Sequence, residues 1–513
     1  MFTTLSELLG ELSRAAAHYP FHFLLFIPAV IILKFAHWYR IASRQFPGPP
    51  VKSIWFGNLD QSLADNVHEK WREWHNVYGP IYQTWNGLFS RTVFIGDPEI
   101  ISQIATKNWP KAPNQYEGFK PLSGDALFAQ MHHRRWQKQR KSLRSAFQPA
   151  VVKSQYPILI MHIQKYISLL DEAALKNDHV DMSMLNVLLT LDFVGEVAFG
   201  TNLHALDEGP NCRILQLFDI ILPELMKCGL FPLRAKVPVL KSTRNMHKAC
   251  AELRGKAQEA IKNARADDNL GHNDTKTKRI YELLAQQRDE DGEYSFTSKE
   301  LCDNYVTFLV AGGDPTAHTI TFAIYEILRH PDILAKLRAE LDSTIPDGVK
   351  VPSLEQTKLP YLNMIVKETL RYNGPGFGTF RYCPESTVVS GVKLPANTTL
   401  ALWNPQVHRD STLWGDDANE FNPDRWKSDG MPVKGSYFPF SYGPRNCLGQ
   451  ELAILEVTLT LATLFRRYDL QLDDGYQMDY LSSFTLCARD GLKIRVAARQ
   501  KQDKLTKEGT GML

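Results

Sequence analysis

Phe438-Pro439-Phe440-Ser441-Tyr442-Gly443-Pro444-Arg445-Asn446-Cys447-Leu448-Gly449 is the stretch of this 513-residue sequence that decides the fold. Its glycines and prolines predict a turn that presents Cys447 directly before a helix, where backbone N–H groups and the helix dipole favour a thiolate. Gly443 and Gly449 have no Cβ and would let a flat ligand approach the backbone closely. Arg445 is placed to meet an anion. The alternative for a lone cysteine is a buried structural role, but the spacing here is too specific for it.

The spacing Phe440-x-x-Gly443-x-Arg445-x-Cys447-x-Gly449 resembles the heme-binding signature of the cytochrome P-450 family, position for position. The resemblance extends over most of the chain and implies a mainly α fold with a small β-sheet region, the cytochrome P-450 fold. It implies heme as cofactor, with Cys447 as the axial ligand of the iron and Phe440, Gly443, Arg445 and Gly449 as cofactor-binding residues. An axial thiolate pushes electron density toward iron and favours O–O cleavage.

Three more residues belong to the predicted cofactor site. Trp136 and Arg140 are spaced i, i+4 and would share one helix face. By themselves they would be an ordinary surface cation–π pair. The resemblance implies that this pair hydrogen-bonds a heme propionate, and that Arg381 meets a propionate as well.

A buried ion cluster is predicted next to the cysteine stretch. Glu368 and Arg371, spaced i, i+3, would contribute only about 0.2–0.5 kcal/mol as an exposed helix pair. The family resemblance instead implies that the pair is buried and completed by Arg425, from the segment Phe421-Asn422-Pro423-Asp424-Arg425-Trp426. We expect this cluster to serve folding and heme retention rather than chemistry.

The segment Ala311-Gly312-Gly313-Asp314-Pro315-Thr316 resembles the oxygen-activation segment of the family. Small residues there would leave room for dioxygen, and Asp314 and Thr316 are the predicted catalytic residues because general acid catalysis needs a proton relay. Pro315 stands where the family has its first threonine, and we expect it to kink the helix because proline lacks an N–H. The alternative for Thr316 is a hydrogen bond back to the Gly312 carbonyl.

Substrate contacts are predicted from family position alone. By family position they fall in the segment Asn114–Phe128, around Phe308, at Gly376–Thr379 and at Ser483–Leu486. These residues are mostly apolar or small, which is consistent with a lipophilic small-molecule substrate. The predicted pocket residues are Phe308, Ala311, Gly312, Phe377 and Phe484.

The segment 134–144 has six Lys or Arg residues and no acid. A solvated basic helix face is the ordinary interpretation of such a run. Given the family resemblance, we interpret it as the docking face for an NADPH-cytochrome P-450 reductase, through charge complementarity.

Composition excludes several classes of protein. With 59 Lys plus Arg against 56 Asp plus Glu, the net charge of +3 gives no support for nucleic-acid binding. The seven cysteines are scattered, with no C-x-x-C pair, which argues against a disulfide framework or a zinc ribbon and favours a reducing compartment.

The N-terminus predicts a membrane anchor. Residues 21–40 are mostly apolar and end in aromatic and basic residues, which favours a single transmembrane helix. We expect this helix to lie in the endoplasmic reticulum membrane, with the body of the protein on the cytosolic side. A buried core helix and a signal peptide are the alternatives. Residues 1–20 would be a lumenal or interfacial segment, and Pro47-Gly48-Pro49-Pro50 a stiff hinge. Residues 41–513 would form one heme domain.

Helical patterns dominate that domain, most clearly over Leu301–Leu328 and Leu448–Tyr468. The polar segment between Arg265 and Glu300 predicts an exposed connection between helices. Strand-like segments are short, namely Ile81–Thr84, Thr92–Ile95, Thr387–Val389 and Thr398–Leu402.

The sequence therefore predicts a membrane-anchored heme-thiolate monooxygenase that inserts one atom of dioxygen into a lipophilic small molecule. Its motifs resemble those of fungal microsomal members, often found in secondary metabolism. Pro315 leaves open a non-oxygenating heme-thiolate enzyme, for rearrangement, dehydration or peroxide-driven chemistry. A non-catalytic heme carrier or sensor is the third hypothesis, although the small residues Ala311, Gly312 and Gly313 argue against a closed distal side.

Overall fold

Long helices supply most of the architecture. The computed structural model describes residues 20–42, 44–51, 53, 56–86, 90–269, 278–427 and 432–500. Within these ranges, the α-helices of nine or more residues are α1 Pro20–Ala42, α2 Val67–Tyr78, α3 Pro98–Thr106, α4 His133–Ser145, α5 Tyr156–Lys176, α6 Met182–Val194, α7 Arg213–Leu230, α8 Lys241–Asn269, α9 Ser298–Arg329, α10 Pro331–Thr344, α11 Pro360–Asn373 and α12 Gln450–Arg467.

Shorter helical segments connect these long helices. They are Leu59–Ser62, Pro113–Tyr116, Glu117–Phe119, Lys120–Ser123, Pro149–Ser154, Gly195–Phe199, Ala205–Glu208, Gly209–Asn211, Pro232–Lys236, Ile280–Gln286, Glu355–Thr357, Asn404–Val407, Ser411–Trp414, Asp416–Asn419, Pro423–Lys427 and Gly443–Arg445.

Helix α9 runs through the middle of the core and confirms the predicted central helix. Its start is fixed by a capping box, in which the Glu300 N–H donates to Thr297 Oγ1 at 3.2 Å and the Thr297 N–H donates to Glu300 Oε2 at 2.9 Å. Most of its side chains are buried, because it packs against α6, α8, α11 and α12. The helix continues through Pro315 to Arg329 as one element.

Two glycines bring α6 close to α9. A Cβ at Gly312 would lie 2.6 Å from Val194 Cγ2, and one at Gly313 would lie 3.0 Å from Leu191 Cδ2. Thr190, also on α6, donates from Oγ1 to the Gly313 carbonyl at 2.9 Å. The small residues predicted to leave room for dioxygen therefore also allow two helices to pack closely.

The sheet content is small, as predicted. The strands are β1 Ile81–Trp85, β2 Arg91–Ile95, β3 His179–Asp181, β4 Gly378–Cys383, β5 Thr387–Val389, β6 Val392–Leu394, β7 Thr398–Trp403, β8 Tyr468–Leu472, β9 Tyr480–Ser482, β10 Leu486–Ala488 and β11 Lys493–Ala498. The largest sheet has the order β1-β2-β7-β4, with β2 and β7 parallel and the other neighbours antiparallel. The remaining sheets are β3-β11-β8, β5-β6 and β9-β10.

The segment between Arg265 and Glu300 is less exposed than its polarity predicts. Helix α8 continues to Asn269, and the short helix Ile280–Gln286 buries Ile280 and Leu284. The expectation of an exposed connection was therefore wrong for residues 280–286. Residues 270–277 lie outside the described part of the chain.

Helix α1 covers the predicted anchor but does not confirm it. Its apolar part with described side chains, Pro28–His37, is shorter than the roughly 20 residues that span a hydrocarbon core. Near its end, Tyr39 packs against Trp85 at a ring distance of 5.0 Å. Among the described residues, the helix long and apolar enough to cross a membrane is Met182–Phe199, and 83% of it is buried, as in a core helix. The predicted segment 1–20 lies almost wholly outside the described residues.

Candidate active site

The cysteine turn places Cys447 at the edge of an open cavity of about 700 Å³. Its N–H donates to the Phe440 carbonyl at 2.8 Å, and α12 begins at Gln450 with Gly449 as N-cap. Gly443 has a φ of +74°, and a Cβ there would lie 2.6 Å from the Ala105 carbonyl oxygen. Glycine is therefore needed at 443 for the turn and its packing on α3.

The helix terminus alone does not make Cys447 a thiolate. Cys447 is solvent-accessible, but the protein atoms packed around it desolvate the thiol and raise its pKa; the Gly449 N–H and the Arg140 guanidinium act in the opposite direction. The sequence-based expectation that the turn itself favours the thiolate was therefore incomplete. A directly bound metal cation would supply the missing positive charge.

Three buried cations lie together beside the cysteine turn. Arg381 on β4 is 1% exposed and Arg445 is 8% exposed, and Lys111, whose backbone bridges to Arg381, is 8% exposed. Within the described part of the chain, none of the three pairs with a carboxylate. Burial, together with the charges of Arg381 and Arg445, holds the pKa of Lys111 well below its usual value. Buried like charges without a counterion indicate a missing anionic ligand.

Orphaned nitrogen atoms in this cluster define what the ligand must offer. Arg381 Nε and Arg445 Nη2 are buried without a hydrogen-bond partner in the described structure. Arg445 Nε donates to Asn108 Oδ1 at 2.6 Å, and Lys111 Nζ donates to the Phe128 carbonyl at 2.5 Å. A ligand with two carboxylates next to a flat ring satisfies these donors, which is the chemistry of a heme. Lys111 was missed by sequence reasoning, since no motif surrounds it and only the β-bridge brings it to Arg381.

Trp136 and Arg140 line the same cavity from α4. The Trp136 ring packs under Arg445, 4.2 Å from its guanidinium carbon. Arg140 donates to both the backbone carbonyl and Oδ1 of Asn446, at 2.7 and 2.6 Å. Arg140 therefore fastens α4 to the cysteine turn, a contact that its helical spacing to Trp136 does not reveal.

The predicted ion cluster is assembled as expected. Glu368 is fully buried and accepts from Arg371 Nη2 at 2.7 Å and from Arg425 Nε at 3.0 Å. Trp426 Nε1 and the Asn422 N–H also donate to this carboxylate. With every oxygen lone pair engaged, the buried charge is well compensated.

His408 links this cluster to the cysteine turn. Arg371 Nη1 donates to the His408 carbonyl at 2.7 Å, and His408 Nε2 accepts from the Phe438 N–H at 3.0 Å. Burial and the Arg371 charge lower the pKa of His408 to about 3, so its ring is neutral and can accept. The first residue of the decisive stretch is thus held by the ion cluster.

The oxygen-activation segment presents different faces of α9. Ala311 is exposed and Pro315, one turn later, is half-buried, whereas Thr316 is 4% exposed. The alternative bond from Thr316 to the Gly312 carbonyl is not among the hydrogen bonds of the described residues. Asp314 accepts a hydrogen bond from Thr485 and lies 3.2 Å from His318 Nε2. Of the two predicted catalytic residues, Asp314 is therefore the one with polar partners.

The predicted pocket residues are distributed over several aromatic contacts. Phe308 packs on Phe147 at 5.5 Å, and Phe484 on Phe119 at 6.1 Å. Phe377 instead stacks on Trp403 at 6.0 Å, beside the β1-β2-β7-β4 sheet.

Residues of the predicted segment Asn114–Phe128 complete an aromatic wall. Phe119 packs edge-on against Phe128 at 5.8 Å, and Phe128 packs against Tyr116 at 5.3 Å. Phe119 also reaches Phe484, so the two segments meet. Tyr116 and Phe128 were not among the sequence-predicted pocket residues, because the sequence names the segment but not the side chains that meet.

Comparison with known proteins supports the geometry. The family model described as Cytochrome P450 matches residues 47–489. Cytochrome P450 734A1 of Arabidopsis thaliana is 26% identical over 82% of this chain and 80% of its own length. Cytochrome P450 3A41 of Mus musculus is 25% identical over 78% of this chain and 80% of its own. The crystal structure of the cytochrome P450DA heme domain superposes with a TM-score of 0.79 at 22% identity, covering 89% of this chain and 98% of that one.

The family model covers most of the chain, and the two relatives match it over comparable lengths. The solved heme domain has the same mainly helical fold. An accessible cysteine beside a cation cluster without counterions agrees with a heme held by a cysteine thiolate. The chain therefore belongs to the cytochrome P450 family of heme-thiolate monooxygenases.

Proposed function

We propose that this protein is a membrane-anchored monooxygenase that inserts one atom of dioxygen into a lipophilic small molecule of secondary metabolism, with electrons from NADPH delivered by a cytochrome P-450 reductase. The observation that carries the proposal is the cation cluster of Lys111, Arg381 and Arg445, whose buried donors Arg381 Nε and Arg445 Nη2 have no partner among the described residues and whose Arg445 lies two positions before the accessible Cys447.

Cys447 would be the axial ligand, and the cation cluster would hold the two propionates. When bound, heme activates dioxygen, so that one oxygen atom enters the substrate and the other leaves as water. The indole ring of Trp136 would orient the guanidinium of Arg445. Gly443 and Gly449 have no Cβ, so the turn would let the flat heme approach its backbone closely. The ion cluster at Glu368 would keep the turn in place through His408.

Helix α4 supports the reductase assignment. Arg134, Arg135, Lys138, Lys141 and Arg144 are all exposed. Lys141 and Arg144 also line the cavity that holds Cys447. The first turn of α4 has no acidic residue, although acids there would stabilise the helix. A basic surface next to the cysteine ligand suits an acidic electron donor.

Two apolar surfaces support membrane association. Ile31, Ile32 and Leu33 on α1 are 41%, 41% and 69% exposed. A second group lies between α7 and α8, where Leu233 is 73% and Val239 is 70% exposed. Exposed apolar patches of this kind mark sites of membrane or protein contact.

A lipophilic substrate is supported by the aromatic wall of the distal side. Phe119 packs edge-on against both Phe128 and Phe484. Such a lining favours an apolar ligand with few polar groups.

The test is metabolite mass spectrometry of the source organism, with and without this gene, under heavy dioxygen. We expect the deletion to accumulate a lipophilic compound that lacks one oxygen atom, and the wild-type product to contain one heavy atom. An accumulated compound with the same oxygen count would favour the non-oxygenating alternative. No NADPH-dependent product together with a six-coordinate iron would favour the carrier or sensor.

A further inference from the structure

We propose that His318, Asp314 and Thr485 form a proton relay that takes the place of the hydroxyl group that Pro315 removes from the cavity face of α9. The proposal deepens the monooxygenase function proposed above, because it names the groups that would supply its protons. It assigns a role to His318, which no sequence motif singles out.

The three side chains form one continuous hydrogen-bonded chain. His318 follows Asp314 by one helical turn, and its Nε2 lies 3.2 Å from Asp314 Oδ1. Thr485, in the turn between β9 and β10, donates from Oγ1 to Asp314 Oδ2. Both oxygens of the Asp314 carboxylate therefore have a partner: His318 on the same helix and Thr485 in a distant turn.

His318 has a nitrogen atom that the fold does not use. The residue is 7% exposed, and its Nδ1 is buried without a hydrogen-bond partner among the described residues. Its ring stacks on Phe322, with the ring centroids 6.2 Å apart and 22° between the planes. An unsatisfied buried polar atom destabilises a fold. An imidazole bonded on one side and open on the other is suited to take a proton at one nitrogen and release one at the other.

One end of the proposed relay, Thr485, lies at the aromatic wall. Thr485 adjoins Phe484, which packs on Phe119 at 6.1 Å. The Leu486 N–H donates to the Pro375 carbonyl at 2.9 Å and fixes the turn that carries both residues. The threonine hydroxyl is thus held beside the predicted substrate pocket.

The other end points along α9 toward a polar cavity. Phe322, the stacking partner of His318, packs on Tyr480 at 5.5 Å. Tyr480 and Glu326 line an open polar cavity of about 260 Å³. Residues 314, 318, 322 and 326 follow one another at intervals of four and so lie along one stripe of the helix. His318 does not itself line this cavity; in the proposal, solvent on this side of α9 would reprotonate Nδ1.

The step conserves protons and charge. His318 accepts a proton at Nδ1 and releases the proton on Nε2 to Asp314 Oδ1. The protonated carboxyl group then passes one proton through the Thr485 hydroxyl to the distal pocket and returns to carboxylate. No electron moves in this step.

The charges around Asp314 suit this task. Burial raises its pKa, but the hydrogen bonds from His318 and Thr485 outweigh burial, so the pKa is lowered overall and the resting group is a carboxylate. Cys487 on β10 is the other titratable group nearby, and burial together with the Asp314 charge raises its pKa to about 12. It stays a neutral thiol and does not compete for the proton.

The first test uses the holoprotein with hydrogen peroxide and the dye ABTS, which together consume two protons while two dye molecules are oxidised and two waters form. His318→Gln keeps a hydrogen-bonding nitrogen but cannot ionise, and His318→Phe keeps the stacking on Phe322. Because general acid catalysis contributes about 10²–10⁴-fold, we expect both variants to oxidise ABTS at least about tenfold more slowly at equal heme content. His330→Gln, at the end of the same helix, should match the wild type. A His318→Gln protein as fast as the wild type would overturn the relay, since a merely structural role tolerates glutamine.

The second test does not depend on heme chemistry. In a double-mutant cycle of Asp314→Asn and His318→Gln on the urea midpoint of the holoprotein, contacting residues give non-additive shifts. Additive shifts would overturn the pairing. Neither test needs the natural substrate or the reductase, so a failure here is distinguishable from a failure of the proposed function.

Discussion

The Phe438 N–H donates to His408 Nε2 at 3.0 Å, across 30 positions of sequence. This bond joins Phe438, the first residue of the cysteine turn, to the imidazole ring of His408. The backbone carbonyl of His408 in turn accepts a hydrogen bond from Arg371. The Glu368 cluster therefore holds the turn through a single neutral imidazole, and the heme ligand depends on residues far from it in the chain.

We expect His408→Ala to lose stability and heme together. The Phe438 N–H would be left without an acceptor, and an unsatisfied buried donor destabilises by about 1–3 kcal/mol. Thermal unfolding and the heme-to-protein absorbance ratio measure both effects. His179→Ala removes an exposed histidine that pairs with Asp473 and should leave both values unchanged. Normal heme content in His408→Ala would contradict the link.

Lys111→Met should separate the stability of the protein from its hold on heme. Without heme, the substitution removes a charge repelled by Arg381 and Arg445, so the apoprotein should be equally or more stable. With heme, one donor to the propionates is lost, and we expect transfer of heme to apomyoglobin to be several-fold faster. The exposed Lys107, replaced by Met, is the control. An unchanged transfer rate would remove Lys111 from the cofactor site.

The basic surface of α4 predicts a defect confined to electron delivery. Lys138→Ala combined with Lys141→Ala should raise the reductase concentration needed for half-maximal NADPH oxidation several-fold, and the difference should shrink with salt because exposed charges are screened. Lys176→Ala, an exposed lysine at the end of α5, serves as the control. An unchanged reductase requirement would contradict docking on this face.

Gly312 is predicted to be indispensable for helix packing. Gly312→Ala would bring a methyl group 2.6 Å from Val194 Cγ2, and such overpacking typically destabilises by about 1–3 kcal/mol. Val194→Ala should restore part of the loss measured by chemical unfolding. Gly255→Ala in α8 meets nothing within 4 Å and should stabilise by roughly 0.5–1 kcal/mol. If Gly312→Ala were as stable as the wild type, the close approach of α6 and α9 would be wrong.

Replacing Glu326 with glutamine is expected to stabilise the protein at high pH but not at low pH. Burial raises the pKa of Glu326 to about 7, from the ordinary glutamate value of 4.5, so the folded state favours the neutral acid. Its favourable contribution is complete below pH 4.5 and is lost as the pH rises through 7. Glu326→Gln should therefore be more stable than the wild type at pH 8, by up to about 3 kcal/mol. The gain should vanish near pH 5, and a gain that is equal at both pH values would exclude this ionisation.

Local patterns were enough to predict the cysteine turn and the central helix. The spacing of Glu368 and Arg371 predicted only a helix pair, and its burial in a cluster was implied by the family resemblance. Arg425 joined that cluster through the family resemblance. What the sequence could not reveal depends on contacts between distant segments. Lys111 reaches the cofactor site only through its bridge to Arg381, and Asp314 meets Thr485, which lies 171 positions later.

At Pro315, packing with other helices rather than local residue chemistry decides that the helix continues. A proline inside a helix can kink it or end it, and α9 continues past Pro315 to Arg329. The packing of α9 against α6, α8, α11 and α12 outweighs one missing backbone hydrogen bond.

The central claim is that Cys447 is the sulfur ligand of the heme iron. Iron K-edge X-ray absorption of the purified ferric holoprotein measures this ligand directly. We expect a sulfur scatterer at bonding distance in the wild type and in Cys487→Ser, and its replacement by a lighter atom, or loss of heme, in Cys447→Ser. A sulfur scatterer that persists in Cys447→Ser would contradict the account.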